Sequence, residues 1–456
     1  MNRAEFFARF ANGLDRLRIT ALARQCGWLV RQGKIDAFEF VVGRVLGQLS
    51  AMRLTLDAEA SAYSEPVTRQ GVHQRYTSKA VELSRLVFQH YVHDSLTAKL
   101  PPVLSAKLAQ HFPAIHVVDS TSFDCPESLA KIFPGCGGAA STANCKVLLR
   151  YEYLRSHFEP LALLPGKRSD PGLASWLPAI PQAAELLLID KGFFKLEALE
   201  QIQDRGAYFL IPWPHAVCLW LPTPTGSRQA LDLASELAHT SEQVPEVSWS
   251  AVHLGRAADS PAWRLVAFRL SPESAGRQRA ALREAQRKQG RQPTAQALEL
   301  AGWLILITNA PADKLPTSAL SCLYRVRWQI ELVFKQCKMV LRLDVTEADS
   351  NEYRVQCEIW DRLTAAAVVF SWHGQLQAAL SQKQPGREIS FARVASRLRQ
   401  NGLPLALAFI RGTHHLEQEL WRLWRQLFHT AVKGRQRTRR TTLESLNEYW
   451  LTRADT

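Results

Sequence analysis

Long apolar runs are missing from this chain of 456 residues, although 46% of them are hydrophobic. No stretch approaches the roughly 20 apolar residues of a membrane span, and none has the pattern of a signal peptide. The expectation is a cytoplasmic protein without a membrane partner. Paired cysteines are missing as well: the eight present include no CxxC pair. Cys125, Cys136 and Cys145 are spaced too irregularly to read as a zinc site. All eight read as reduced thiols, which excludes a disulfide scaffold. Acids are the scarcer charge, 42 Asp and Glu against 56 Lys and Arg, which leaves a formal +14. That balance suits a polyanionic partner. The excess is uneven, because Lys383 to Thr456 hold 14 Lys and Arg against 6 Asp and Glu. Trp421, Trp424, Phe428 and Tyr449 interleave with those charges, which a solvated basic tail does not explain.

Against that background, two aspartates follow apolar runs. In IHVVDSTSF, residues 115–123, a β-branched run ends in Asp119. In AELLLIDKGFFKLEAL, residues 184–199, a short apolar strand delivers Asp190, and Lys191-Gly192 turns the chain toward a helix-like stretch. Either acid alone reads equally as a strand-end or capping aspartate. Acids at the ends of buried strands are costly unless paired or bound to a cation. Asp124, Glu127 and Asp170 are weaker competitors, since Asp124 falls past the strand end and Asp170 in a turn.

A third acid sits in YRVRWQIELVFKQCK, residues 324–338. At about 100° per residue, Tyr324, Arg327, Glu331 and Lys338 share a ridge about 60° wide on one helix. A carboxylate there can hold a metal ion while the cations grip phosphate oxygens. Arg327 and Glu331 would also serve as an ordinary i,i+4 pair on a solvated face. Two strand-end acids plus a helical Glu supply three hard oxygen ligands, enough for two Mg²⁺ ions about 4 Å apart.

With these residues in view, the chain resembles the DDE transposases of bacterial insertion sequences, specifically the insertion sequence 4 family. Tyr324, Arg327, Glu331 and Lys338 match the family's Y-(2)-R-(3)-E-(6)-K signature at every spacing. Asp119 in DST matches the first acid. Asp190 in DKGF resembles the second, where many relatives carry Arg instead of Lys191. The resemblance covers roughly residues 105–375, while the two ends match only in general character.

The resemblance implies an α/β fold: a ribonuclease H-like mixed-sheet core with a β-rich insertion, flanked by helical N- and C-terminal domains. Periodicity alone says only mixed α/β. IHVVDST, CKVLLRYEYL, FEPLALLPG, ELLLID and WLILITN read as core strands, with the Glu331 helix after the last. The expected division is a helical DNA-binding domain at 1–104, a catalytic domain at 105–375 with the insertion at about 207–298, and a basic helical domain at 376–456. The last is the expected place for dimerisation and DNA contacts. Residues 54–78 suggest two short helices, with Thr68 capping the second and Arg69, Gln70, His73, Gln74 and Arg75 pointing outward. An ordinary surface helix fits that stretch as well.

In relatives that make hairpin-ended intermediates, an aromatic from the insertion stacks on a flipped base. Trp213, Trp220, Trp249 and Trp263 are candidates here, with Trp213 favoured because flanking prolines suggest a loop tip. Each fits equally as a sheet or core aromatic. The resemblance implies Asp119, Asp190 and Glu331 as catalytic metal ligands for two Mg²⁺ ions, replaceable by Mn²⁺. It implies Tyr324, Arg327, Lys335 and Lys338 as DNA contacts, and double-stranded DNA as partner, both terminal inverted repeats and target. A homodimer in a synaptic complex and a nucleoid-associated location are also expected. The other readings are a stand-alone metal nuclease and a domesticated DNA-binding protein without chemistry, and loss of an acid would have favoured the latter.

Overall fold

The computed structural model describes residues 14–31, 33–49, 55–97, 106–137, 141–154, 157–169, 171–255, 260–325, 327, 351–384 and 387–434. The chain forms two compact units interleaved in sequence. One comprises Met1–Leu104, Ser120–Arg168 and Ile330–Arg440. The other comprises Ser105–Asp119, Ser169–Gln329 and Thr441–Thr456. Strand β1 (Ile115–Asp124) therefore begins in the second unit and ends in the first.

The first unit is mainly helical. Its centre is the helix Glu352–Lys383, buried along most of its circumference from Val355 to Leu380. A helix apolar nearly all round must be covered on several sides. The helices Ala37–Gly47 and Ser78–Thr97 and the strand β3 pack against it. Its start is fixed by Asn351, whose side chain accepts from the Tyr353 and Arg354 amides. β2 (Asn144–Glu152) and β3 (His157–Pro165) pair antiparallel, and β2 starts beside the end of β1 through an Asn144–Asp124 side-chain bond of 2.9 Å. The helices Phe391–Arg411 and Thr413–Thr430 pack on each other, and the former also covers Ala37–Gly47.

A polar cluster is enclosed in this apolar unit. Arg44 Nε lies 3.1 Å from Asp361 Oδ2, both side chains being 2% exposed, and Arg44 Nη2 donates to Ser84 Oγ at 2.6 Å. The guanidinium stacks 3.9 Å from the Phe40 ring centroid. Nearby, Tyr76 donates its hydroxyl to Glu59, at 2.8 and 2.7 Å from the two carboxylate oxygens. Burial pushes Glu59 from its ordinary 4.5 up to about 7, with Arg44 and the Tyr76 hydroxyl only partly offsetting it.

A raised carboxyl pKa means that the folded chain keeps a proton the unfolded chain has lost. Glu59 thus takes stability away as pH climbs from 4.5 toward 7. Glu59→Gln is isosteric and does not ionise. Its stability relative to the wild type is therefore expected to rise by up to about 3 kcal/mol across that interval, read from denaturant midpoints. A difference independent of pH would show that Glu59 titrates alike in the folded and unfolded chain.

In the second unit the strand order is β1, β4, β5, β10, β9, β8, β6, β7. The ranges are β4 Leu186–Ile189, β5 Tyr208–Pro212, β6 Leu219–Pro222, β7 Arg228–Ala230, β8 Glu246–Leu254, β9 Ala262–Arg269 and β10 Trp303–Thr308. β4 pairs parallel with both β1 and β5, and every pairing from β5 outward is antiparallel. All four β4 residues are fully buried, as a parallel strand covered on both faces requires. The helix Leu196–Asp204 connects β4 to β5 and buries Ala198, Leu199 and Ile202. β5, whose sequence pattern resembles that of the insertion strands after it, lies between β4 and β10. The mixed sheet with helices toward both ends of the chain is the fold class the sequence pointed to.

In the 54–78 stretch the two short helices are Leu56–Ala60 and Arg69–Gln74, and Thr68 Oγ1 accepts the Gly71 amide at 3.1 Å. Arg69, Gln70 and Gln74 are exposed. Arg75 is not presented outward. Its guanidinium lies 3.9 Å over the Trp28 ring and donates to the Trp28 carbonyl, so stacking and that carbonyl turn it inward.

Candidate active site

The parallel register pairs Val118 with Ile189, so the next residues on the two adjacent strands are Asp119 and Asp190. Asp190 follows the last residue of β4 and so stands at that strand's carboxyl end. Asp119 lies beside it but is not at a strand end as the sequence suggested: β1 continues to Asp124, which makes Asp119 its fifth residue and puts Asp124 within the strand, not past it. Burial is what stops at Asp119, after the four buried residues Ile115 to Val118, while the sheet pairing carries the chain onward. Open α/β sheets place their sites at the carboxyl ends of strands.

Asp190 has a double task. Its Oδ2 accepts the Gly192 amide at 2.9 Å and so caps the 3-10 turn Lys191–Phe193. Its Oδ1 lies 3.1 Å from Arg327 Nη1. The acid is 34% exposed and the arginine 13%, so the pair is only partly screened. The Arg327 guanidinium sits 5.4 Å from the centroid of the Tyr324 ring. Residues 317–325 are helical, as is Arg327, and the chain reaches this helix from the end of β10. Asn309 fixes that exit, because its side chain accepts the Phe209 amide and donates to the Ala207 carbonyl, each at 2.8 Å.

Asp119, Asp190, Tyr324 and Arg327 thus belong to one unit, and Asp190, Arg327 and Tyr324 make a continuous contact chain. Glu331, Lys335 and Lys338 lie outside the described residues. Two carboxylates side by side on adjacent strands are hard oxygen donors of the kind that suits a divalent cation with bound waters. One Asp190 oxygen already faces the Arg327 guanidinium, which holds the carboxylate in place.

Trp213 is placed differently from a loop-tip aromatic. It is 6% exposed, and its indole N–H donates to the Val217 carbonyl at 3.0 Å. The same turn brings His215 beside Lys191, and partial burial together with that ammonium pushes the imidazole down to about 4. Trp263 is 2% exposed and bonded to Gln203, while Trp220 is half-buried and donates to the Gly255 carbonyl. Trp249 is half-buried on β8. Among the described residues of this unit an open tryptophan is Trp176, 38% exposed in the 3-10 segment Pro171–Ala179, which packs against the Lys191–Phe193 turn. The clue available in the sequence was its position after Ser-Asp-Pro-Gly, in a loop rather than a strand.

Residues 110–366, more than half of the chain, match the family described as Transposase DDE domain, and the chain belongs to that family. It is therefore a transposase-type enzyme that acts on DNA and depends on divalent metal. The transposase for insertion sequence element IS231B of Bacillus thuringiensis subsp. berliner is 26% identical over 441 residues, covering 93% of this chain and 91% of that protein. The transposase for IS1151 of Clostridium perfringens is 22% identical over 447 residues, covering 94% and 93%. A shorter stretch of 106 residues is 38% identical to the putative transposase InsL for IS186A of Escherichia coli K12, covering 23% and 28%. No helix among the described residues is long and apolar enough to cross a membrane.

Proposed function

We propose that this chain is the transposase of an insertion sequence, which binds the element's terminal inverted repeats, cuts at the ends and joins the freed 3′ hydroxyls to target DNA. The observation that carries the reading is the side-by-side position of Asp119 and Asp190, each next after the paired residues Val118 and Ile189 of parallel strands β1 and β4. Asp119 and Asp190 hold the metal, with Glu331 as third ligand. Mg²⁺ is the ion, and Mn²⁺ replaces it. When bound, the ions activate the attacking oxygen and stabilise the leaving one.

The remaining tasks fall to the protein's own groups. Arg327 holds Asp190 in orientation and adds positive charge where phosphate oxygens approach, while Tyr324 backs the guanidinium. Lys335 and Lys338 add further phosphate contacts. Trp176 offers an open ring beside the Asp190 turn, better placed for base stacking than Trp213. No Ser or Tyr nucleophile is needed, because water and then the DNA 3′ hydroxyl attack directly. The proposed division assigns 1–104 to DNA binding, 105–375 to catalysis with the insertion at about 207–298, and 376–456 to dimerisation and DNA contacts. The active form is a homodimer pairing two DNA ends, in the cytoplasm at the nucleoid.

The test incubates the purified chain and its Glu331→Gln variant with a duplex ending in the element's terminal repeat plus Mg²⁺, and resolves the strands on a denaturing gel. Cleavage at the repeat end by the wild type alone is expected. Equal cleavage by both would remove Glu331 from the ligand set. DNA bound but uncut by both would favour a DNA-binding protein without chemistry.

A further inference from the structure

The helix Pro272–Lys288 belongs to the unit that carries Asp119 and Asp190, and nothing in the chemistry above uses it. Ser271 caps its start and Pro272 opens its first turn. Only a narrow stripe faces inward. Ala275 is buried, and Arg279, Leu282 and Gln286 are half-buried at the 3–4 spacing of one helix face. Arg279 Nε donates to the Leu298 carbonyl at 2.9 Å, on the helix Ala295–Leu300, and so fixes the rotation of the longer helix.

Opposite that stripe, Arg277, Arg283, Arg287 and Lys288 are all exposed, and Arg291 follows in the turn past Gly290. At about 100° per residue the four helical cations share an arc of about 140°. Glu273 and Glu284 answer only part of this charge, pairing with Arg277 and with Arg287 and Lys288. Five cations against two acids leave +3 on the face. Arg283 and Arg291 have no acid partner among the described residues. The alanines Ala280 and Ala281 between the cations are exposed and small, so a flat or convex polyanion can approach closely.

We infer that this face lies along the backbone of bound DNA and contacts phosphates without reading bases. The inference rests on the DNA-transposase reading above. From Arg277 to Lys288 the axis advances roughly 17 Å, which spans about five phosphates of one strand. Charge complementarity with a polyanion is the argument for the occupant, since an acidic protein surface would not need so regular a line of cations. The contact steers and holds DNA, and base recognition lies elsewhere.

The experiment titrates a fluorescent random-sequence duplex with the full chain, reading anisotropy between about 50 and 200 mM salt. The wild type is compared with the triple variant Arg283→Gln, Arg287→Gln, Arg291→Gln, and with Lys at the same three positions. Each lost phosphate contact flattens the slope of log K against log salt by about 0.9, so the Gln variant should lose roughly 2 to 3. Its affinity should fall on the order of 10- to 100-fold, while the Lys variant keeps both slope and affinity. Equal slope and affinity in the Gln variant would overturn the inference and leave the transposase reading standing. Equal losses in the Gln and Lys variants would also overturn it, because charge would not then be the cause. Absence of salt-dependent binding by the wild type would remove the DNA reading itself.

Discussion

Asp190→Asn should abolish strand cleavage, with a fall of roughly 10³-fold or more in single-turnover rate, while duplex affinity changes only a few-fold. The carboxylate sits where β4 ends, and its partner Asp119 lies on the neighbouring parallel strand β1 at the same level. Removing one negative ligand from a divalent site forfeits several kcal/mol of stabilisation where charge develops, and about 1.4 kcal/mol is a decade in rate. Asparagine can still accept the Gly192 amide, so the turn survives. Its amide N–H₂ would, however, face the Arg327 donors that now meet Oδ1. Asp119→Asn is therefore the companion variant, since it tests the same ligand role without that clash of donors. A residual rate within tenfold of wild type in both variants would sink the assignment.

The second large effect concerns stability. Arg44→Met and Asp361→Leu should each destabilise the helical unit by about 3–5 kcal/mol, because each leaves one buried charge without its counter-charge. Both side chains are 2% exposed and lie 3.1 Å apart. The double variant should recover most of the loss, since an apolar pair of similar volume carries no desolvation penalty. Chemical denaturation followed by tryptophan fluorescence reads this well, as Trp372 and Trp28 are buried in the same unit. Additive losses in the double variant would show that the two residues do not act on each other.

Asp119 and Asp190 were legible because a strand advertises itself locally. Each follows four consecutive buried residues, and the burial stops at the acid itself. Thr68 was legible for the same reason, since a cap needs only the next three residues. What could not be read were the partners. Nothing near Asp190 in sequence announces that Arg327 will bind it, and nothing near Arg75 announces the Trp28 ring. Trp213 shows the same limit. Prolines do make a turn there, but the turn folds its indole back onto the Val217 carbonyl. Arg44 and Asp361 each sit on a helix buried on nearly every side, and nothing beside either one announces the other. Their pairing is a tertiary fact 317 residues long.

That separation has a meaning for how the protein is made. The helix Ala37–Gly47 leaves the ribosome early, yet the helices that cover it, Glu352–Lys383 and Phe391–Arg411, are translated last. At ordinary elongation rates Arg44 waits about 15–60 s for Asp361 to be synthesised. The sheet strands from β4 to β10 are complete well before then. A product that stops short of Asp361 can therefore assemble those strands but holds a stranded cation and an uncovered apolar helix, a species fit for proteolysis rather than for work on DNA. Possession of the first unit is in effect a certificate that translation has passed Asp361.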